Sequence, residues 1–241
     1  MTQQYDEFAD KNSDIERVIS LYRNDVEIPS LFSVLGSVHG KRVLDVGCGS
    51  GVYARMVKQR GASHVVGVDV SSCMIEVARA IETERPLGVE YHVHDAAAMP
   101  VLDAFDVVVA VNVLHYAGSR DVLESMCEQM CANLVSGGRL LACVGNPTCD
   151  AKSAEAYGFA VHRPAHPRDE DAYTVFILTD PPVTVRVYYW TCGTLAEVLE
   201  KSGFTDVRWE TPKSSRAADG SLPIRRTVES PISLLVSARK R

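Results

Sequence analysis

The chain has 241 residues, 46% of them hydrophobic, which is enough to bury a sizeable core, and its length favours a single domain, 1–241. A formal net charge of −6 weighs against a surface built to neutralise phosphates, so no nucleic-acid partner is expected. No run approaches the roughly 20 apolar residues that cross a bilayer, and the polar, acidic opening does not resemble a signal, so a cytoplasmic protein without a membrane partner is expected.

In chain order, residues 14–35 read as one or two amphipathic helices, with Ile15, Val18, Ile19, Leu21 and Tyr22 on one apolar stripe, placed to cover the mouth of a sheet. From residue 41 short apolar runs alternate with amphipathic segments, the pattern of parallel strands joined by crossover helices. Strands are expected at 42–46, 64–69, 89–94, 105–111 and 138–144, with helices near 51–60, 72–83 and 119–135. Ser71 can cap the second of these helices, Gly61 follows the first, and Gly137 and Gly138 follow the third. After Val144 a stretch rich in Pro and charge, reaching Asp171, reads as loop. Two β-like runs follow at 173–178 and 183–190, joined by Thr179-Asp-Pro-Pro182 as a hairpin turn. The remainder reads as a helix at 194–202, a strand at 206–210, a loop containing Pro212 and Pro223, and a strand at 232–238. The seven cysteines are odd in number and form no Cys-x-x-Cys pair, which fits reduced, buried thiols; Cys127 and Cys131 share a helix face as core residues.

The chemistry concentrates at the strand ends. A strand ending near Asp45 breaks into Gly47-Cys48-Gly49-Ser-Gly51 before a helix, so backbone can approach a ligand where a Cβ would clash. Dinucleotide-binding turns share this layout, but their G-x-G-x-x-G spacing needs glycine where Val52 stands. Asp69 closes the next strand, placed for ribose hydroxyls, and Asp95 closes the third, where a carboxylate can accept from an adenine amine. The acids therefore share the carboxyl edge of the sheet, where open α/β folds bind ligands. His115 and Tyr116 stand on the fourth strand-end turn, where an imidazole could take a substrate proton, and His92 and His94 read as structural, with no metal site expected.

The ordered motifs Val43-Leu-Asp-Val-Gly-Cys-Gly-Ser-Gly51, Gly67-Val-Asp-Val-Ser-Ser-x-Met74, the Asp95 turn and Val111-Asn-Val-Leu-His-Tyr116 resemble those of class I S-adenosylmethionine-dependent methyltransferases, in their small-molecule, type 11-like branch. The resemblance implies a Rossmann-like α/β fold: a seven-stranded, mostly parallel sheet with an antiparallel last strand, helices on both faces and a lid insertion. It divides the chain into a helical cap at 1–40, a cofactor core at 41–145, a substrate lid at 146–190 and a C-terminal part at 191–241. It implies S-adenosylmethionine as cofactor and S-adenosylhomocysteine as product, with Gly47, Cys48, Gly49 and Gly51 around the methionine part and Asp45 orienting that loop. Asp69 would hold the ribose, Met74 would pack on adenine, Asp95 with Ala96 would read its edge, and Val70 would also contact the cofactor. Asn112 and Val113 would lie near the sulfonium, and Tyr5 would lie over the cofactor. His115 and Tyr116 are the candidate catalytic residues; Tyr22, His115, Tyr173, Tyr188 and Trp190 are candidates for the acceptor wall. The expected reaction is methylation of an oxygen or nitrogen of a small molecule, a specialised metabolite, by a monomer or homodimer. A protein acceptor and a non-catalytic partner subunit are the competing readings.

Overall fold

The computed structural model describes residues 12–212 and 230–241, so Tyr5 and Pro223 lie outside the described residues. The chain enters through helix α1 (Asn12–Tyr22), a π-helical turn (Arg23–Glu27) and α2 (Ile28–Leu35). It then alternates β1 (Arg42–Val46), α3 (Val52–Gln59), β2 (His64–Asp69), α4 (Ser72–Glu84), β3 (Val89–Val93), β4 (Phe105–Val111), α5 (Arg120–Ala132) and β5 (Leu134–Gly145). The apolar runs of β1, β2 and β4 are buried on both faces, as parallel strands between helical layers must be. The sheet order is β3-β2-β1-β4-β5, continued by β10 (Ser233–Lys240) and β9 (Phe204–Glu210). Only β10 runs antiparallel, pairing Val236 with Ala142 of β5 on one side and with Trp209 of β9 on the other. The last strand is thus antiparallel as expected, and it sits inside the sheet.

The chain moves outward from β1 to β3 and then jumps back to β4, so strand order reverses between β1 and β4. That switch point opens a crevice at the carboxyl ends of both strands. Helices cover both faces: Leu123 and Met126 of α5 and Val198 of α7 (Cys192–Lys201) pack on one, and Leu31 of α2, Ala54 of α3 and Ile75 of α4 on the other. Ser71 caps α4 by accepting the Met74 N–H at 3.1 Å. Helix α5 stops at Ala132 because the buried Asn133 amide is committed to the preceding loop, accepting the Leu102 N–H at 2.8 Å and donating to the Pro100 carbonyl at 3.1 Å. All seven cysteines are free thiols, and Cys127 and Cys131 are buried in the core.

The stretch after β5 departs from the expected loop. It contains a short helix, α6 (Ala151–Glu155), capped by Asp150 accepting the Ser153 N–H at 2.8 Å, and a strand, β6 (Phe159–His162). This strand extends the expected hairpin of β7 (Ala172–Ile177) and β8 (Val183–Tyr188) into a separate sheet of order β6-β7-β8. In β8, Val183, Val185 and Val187 are buried and alternate with exposed Thr184 and Arg186, so one face turns inward. Ile15 of α1 packs on that face with Val18 and Ile19, whereas Leu21 is exposed, which removes it from the expected stripe.

Candidate cofactor and acceptor site

The turn after β1 holds Gly47, Gly49 and Gly51 at φ 69°, 51° and 84°. A Cβ on Gly47 would lie 2.1 Å from Cγ2 of Val113, and one on Gly51 would lie 2.3 Å from the Tyr91 hydroxyl. These two glycines thus let the β1 turn nest against the β4 end and against β3. At Gly49 a Cβ would meet nothing nearer than Met74 Cε at 3.5 Å, so the loop opens on that side. Gly47 and Cys48 both donate their N–H to the Val68 carbonyl, at 2.7 and 2.9 Å. The Gly49 N–H donates to Oδ2 of Asp69 at 2.9 Å, and the Ser71 N–H donates to Oδ1 of the same carboxylate at 2.9 Å. Asp69 therefore orders the glycine loop and the start of α4 together, and its side chain lines the cavity.

Asp45 lies beneath this loop, 2% exposed. Its carboxylate accepts a backbone hydrogen bond from Ala54 on α3, and Oδ2 has no partner among the described residues. Burial above all, opposed by that backbone bond and helped by the neighbouring Asp69 charge, brings its pKa up to about 8. Asp45 thus ties β1 to the first turn of α3. Burial also keeps the Cys48 thiol protonated.

A cavity of about 320 Å³ starts at this edge and continues under the small sheet. Gly47, Cys48, Gly49, Asp69, Val70, Met74, Ala96, Asn112 and Val113 all line it, so nine of the expected cofactor residues converge. Asp95 does not reach it: its Oδ1 accepts the Ala97 N–H at 2.8 Å, closing the turn that presents Ala96. His94, read as structural, does line the cavity.

His115 and Tyr116 line it from a short 3₁₀ turn, Leu114–Tyr116, with ring centroids 4.6 Å apart. Burial pushes the His115 pKa down to about 4, so its imidazole is neutral at physiological pH, and its buried Nδ1 has no partner among the described residues. Tyr22 and Tyr173 also line the cavity, the first with its hydroxyl 2.5 Å from the Ser233 hydroxyl. Tyr188 and Trp190 do not line it, which corrects their placement in the acceptor wall. The Trp190 indole is buried and donates to the Ala117 carbonyl at 3.1 Å, and Tyr188 packs over Gly118; both border a separate cleft of about 10 Å³ behind His115.

One group escaped the sequence reading. Glu27, at the end of the π-helical turn and 5% exposed, accepts from the Tyr53 hydroxyl and from Nδ2 of Asn112 at 3.0 Å, with the Cys143 thiol at 3.7 Å. It ties the entering helices to α3 and to the β4 end. Arg23, also on the cavity, pairs with Glu16 of α1. An acid just ahead of Ile28 inside a helical stretch was the available signal, with no motif around it to mark it.

A glycine turn bound to the acid of the next strand, at the switch point of a sheet with this strand order, resembles the cofactor edge of class I S-adenosylmethionine-dependent methyltransferases and supports S-adenosylmethionine as the cofactor. The comparisons agree. Residues 43–138 match the family described as a methyltransferase domain. A solved S-adenosylmethionine dependent methyltransferase from Mesorhizobium loti superposes with a TM-score of 0.65 at 26% identity, covering 89% of this chain and 97% of that one. A ubiquinone biosynthesis O-methyltransferase from Chelativorans sp. (strain BNC1) is 33% identical over 113 residues, 46% of this chain and 43% of that protein. A tRNA U34 carboxymethyltransferase from Shewanella woodyi is 33% identical over 134 residues, 48% of this chain and 38% of that protein. The chain therefore spans less than half the length of these two curated relatives.

Proposed function

We propose that this protein transfers a methyl group from S-adenosylmethionine to an oxygen or nitrogen of a small-molecule acceptor, a specialised metabolite, held in the half of the cavity bounded by residues 146–190 and α1. The observation that carries the reading is the continuity of one cavity from Asp69 and Gly49 to the inward valines of β7 and β8. The fit to the cofactor rests on this chain's own groups: an open glycine at 49, a carboxylate at 69 on the cavity wall, and Met74 and Ala96 as apolar walls. When bound, the cofactor supplies a methyl group already activated on a sulfonium sulfur, so the protein's main task is alignment of the acceptor.

Asn112 and Val113 border the point where the two halves meet. The neutral imidazole of His115 can accept a hydrogen bond, and then a proton, from an acceptor hydroxyl; with a pKa near 4 it is a weak base, and in-line positioning carries more of the rate. The net charge of −6 and the apolar enclosure of the lid half support a small molecule over RNA, although one relative is a tRNA enzyme. Isothermal titration with S-adenosylhomocysteine tests the cofactor, and its failure to bind sinks the reading. Mass spectrometry of a metabolite extract incubated with labelled S-adenosylmethionine then reports the acceptor as a product carrying the labelled methyl group.

A further inference from the structure

We propose that Arg163 anchors an anionic group of the acceptor, so that the molecule methylated here is an apolar acid. The inference rests on the methyltransferase reading and names the substrate class for the lid half of the same cavity.

Arg163 follows β6 directly and lines the cavity. Its guanidinium donates from Nη1 to the Pro147 carbonyl at 2.8 Å and from Nη2 to the Cys149 carbonyl at 2.7 Å. Both partners are neutral, so the fork is oriented while its charge is left uncompensated, and three of its five N–H donors remain. Among the described residues no carboxylate lies within ion-pair distance of it. Arg79 and Arg139 also rest on carbonyls, but neither lines the cavity. The other arginine that does, Arg23, is already paired with Glu16.

The acids on the cavity wall are equally informative. Glu16, Glu27 and Asp69 line it, all from the entering helices or the β2 end, and each is engaged: Glu16 by Arg23, Glu27 by Tyr53 and Asn112, Asp69 by the glycine loop. No acid of residues 146–190 lines it. The lid half therefore presents one fixed cation to walls formed by Phe159, Val161, Val175, Ile177, Val185 and Val187. A cation facing apolar space is costly until an anion joins it, and a guanidinium fork suits a carboxylate in a two-point contact. The same field repels an ammonium group. Tyr173, which lines the cavity and whose electrostatic neighbours include Arg163, has its hydroxyl 3.6 Å from where a Cβ of Gly145 would sit, at the end of β5 beside the Asn112 turn. The anion is thereby held at the end of the lid nearest the transfer point, with the apolar body against the valines.

The test uses the full chain saturated with S-adenosylhomocysteine and three probes that share one ring system: 2-naphthoate, its isostere 2-naphthamide, and the cation 2-naphthylmethylammonium. Titration calorimetry is expected to show 2-naphthoate binding about tenfold or more tighter than the amide, with the ammonium weakest. In Arg163→Met the acid and amide converge while the affinity for S-adenosylhomocysteine is unchanged, and Arg163→Lys retains part of the preference. Equal binding of acid and amide to the wild type, absence of 2-naphthoate binding, or a preference that survives Arg163→Met would overturn the proposal. Should Arg163→Met fail to fold, the wild-type ranking of the three probes decides alone. Loss of S-adenosylhomocysteine binding is a separate result that strikes the methyltransferase reading; the probe ranking is then taken on the unliganded protein.

Discussion

Replacing Glu27 by alanine should be the most damaging single change near the site. The side chain is 5% exposed and accepts from the Tyr53 hydroxyl and the Asn112 amide, so its removal leaves two donors without an acceptor. Each orphaned donor costs about 1–3 kcal/mol, and breaking a buried charged network costs about 3–5 kcal/mol in total. For a chain of 241 residues each kcal/mol lowers Tm by about 2–4 °C, so a fall of roughly 10 °C is expected. Glu27→Gln keeps the shape and one acceptor oxygen and should lose about half as much or less. Urea denaturation of Glu27→Ala, Tyr53→Phe and the double variant isolates the contact, with an expected coupling of about 0.5–3 kcal/mol. A loss below about 1 kcal/mol in Glu27→Ala, or additive single variants, would refute the network.

Gly47→Ala places a Cβ 2.1 Å from Val113 at φ 69°, adding about 1–2 kcal/mol of left-handed strain to about 1–3 kcal/mol of overlap; calorimetry should find S-adenosylhomocysteine binding at least about tenfold weaker, and wild-type affinity would remove Gly47 from the site. Trp190→Phe loses one buried hydrogen bond, about 0.5–1.5 kcal/mol by denaturation, without changing acceptor KM; a raised KM at unchanged stability would return Trp190 to the acceptor wall. The Asp45 pKa rises on folding from the ordinary 3.8 to about 8, so the folded state binds the extra proton and the stability tied to it is full below about pH 4 and lost as pH rises through 8. Asp45→Asn should therefore gain stability relative to wild type between pH 5 and pH 9, and a pH-independent difference would contradict the burial argument. With a His115 pKa near 4, the methyl-transfer rate should show no His115 inflection between pH 5.5 and 7.5; an inflection near 6.5 that vanishes in His115→Asn would place the imidazole in water.

The core strands were legible because each is a short apolar run, ended by Gly47 after β1, Asp69 on β2 and Asn112 after β4, and burial on both faces leaves little else such runs can be. The glycine spacing with Asp69 pointed to the cofactor edge for a related reason: all three glycines stand at positive φ, and at Gly47 and Gly51 a Cβ would meet atoms closer than 3 Å. Residues 146–171 misled because β6 is four residues long and part-exposed and α6 is five, too short for either period to register against the surrounding Pro and charge. Trp190 misled for a different reason. Aromatic residues at a strand end suit a ligand wall and a core equally, and the Ala117 carbonyl that draws the indole inward is 73 residues away in sequence. The part of the site assembled from the entering helices, Glu27 with Tyr53 and Asn112, is likewise a long-range product of packing that no local pattern encodes.

The boundary of the family match follows the division of the cavity. The match covers residues 43–138, which contain the glycine loop, Asp69, Ala96 and the Asn112 turn, and it excludes both α1 and the three-stranded sheet. What the family model matches in this chain is therefore the proposed cofactor half, and the names of the curated relatives, a ubiquinone biosynthesis O-methyltransferase and a tRNA U34 carboxymethyltransferase, say little about the other half. That other half is a single packed unit drawn from two distant segments, Ile15 and Ile19 of α1 against Val183, Val185 and Val187 of β8. A valine of β8 enlarged to admit a different acceptor presses on α1, and α1 leads through the π-helical turn to Glu27 and thence to Asn112. Under the proposed function, acceptor fit and the geometry beside Asn112 are thus mechanically joined, so altered specificity calls for paired changes in α1 and β8, and β8 changes alone should lower kcat along with acceptor affinity.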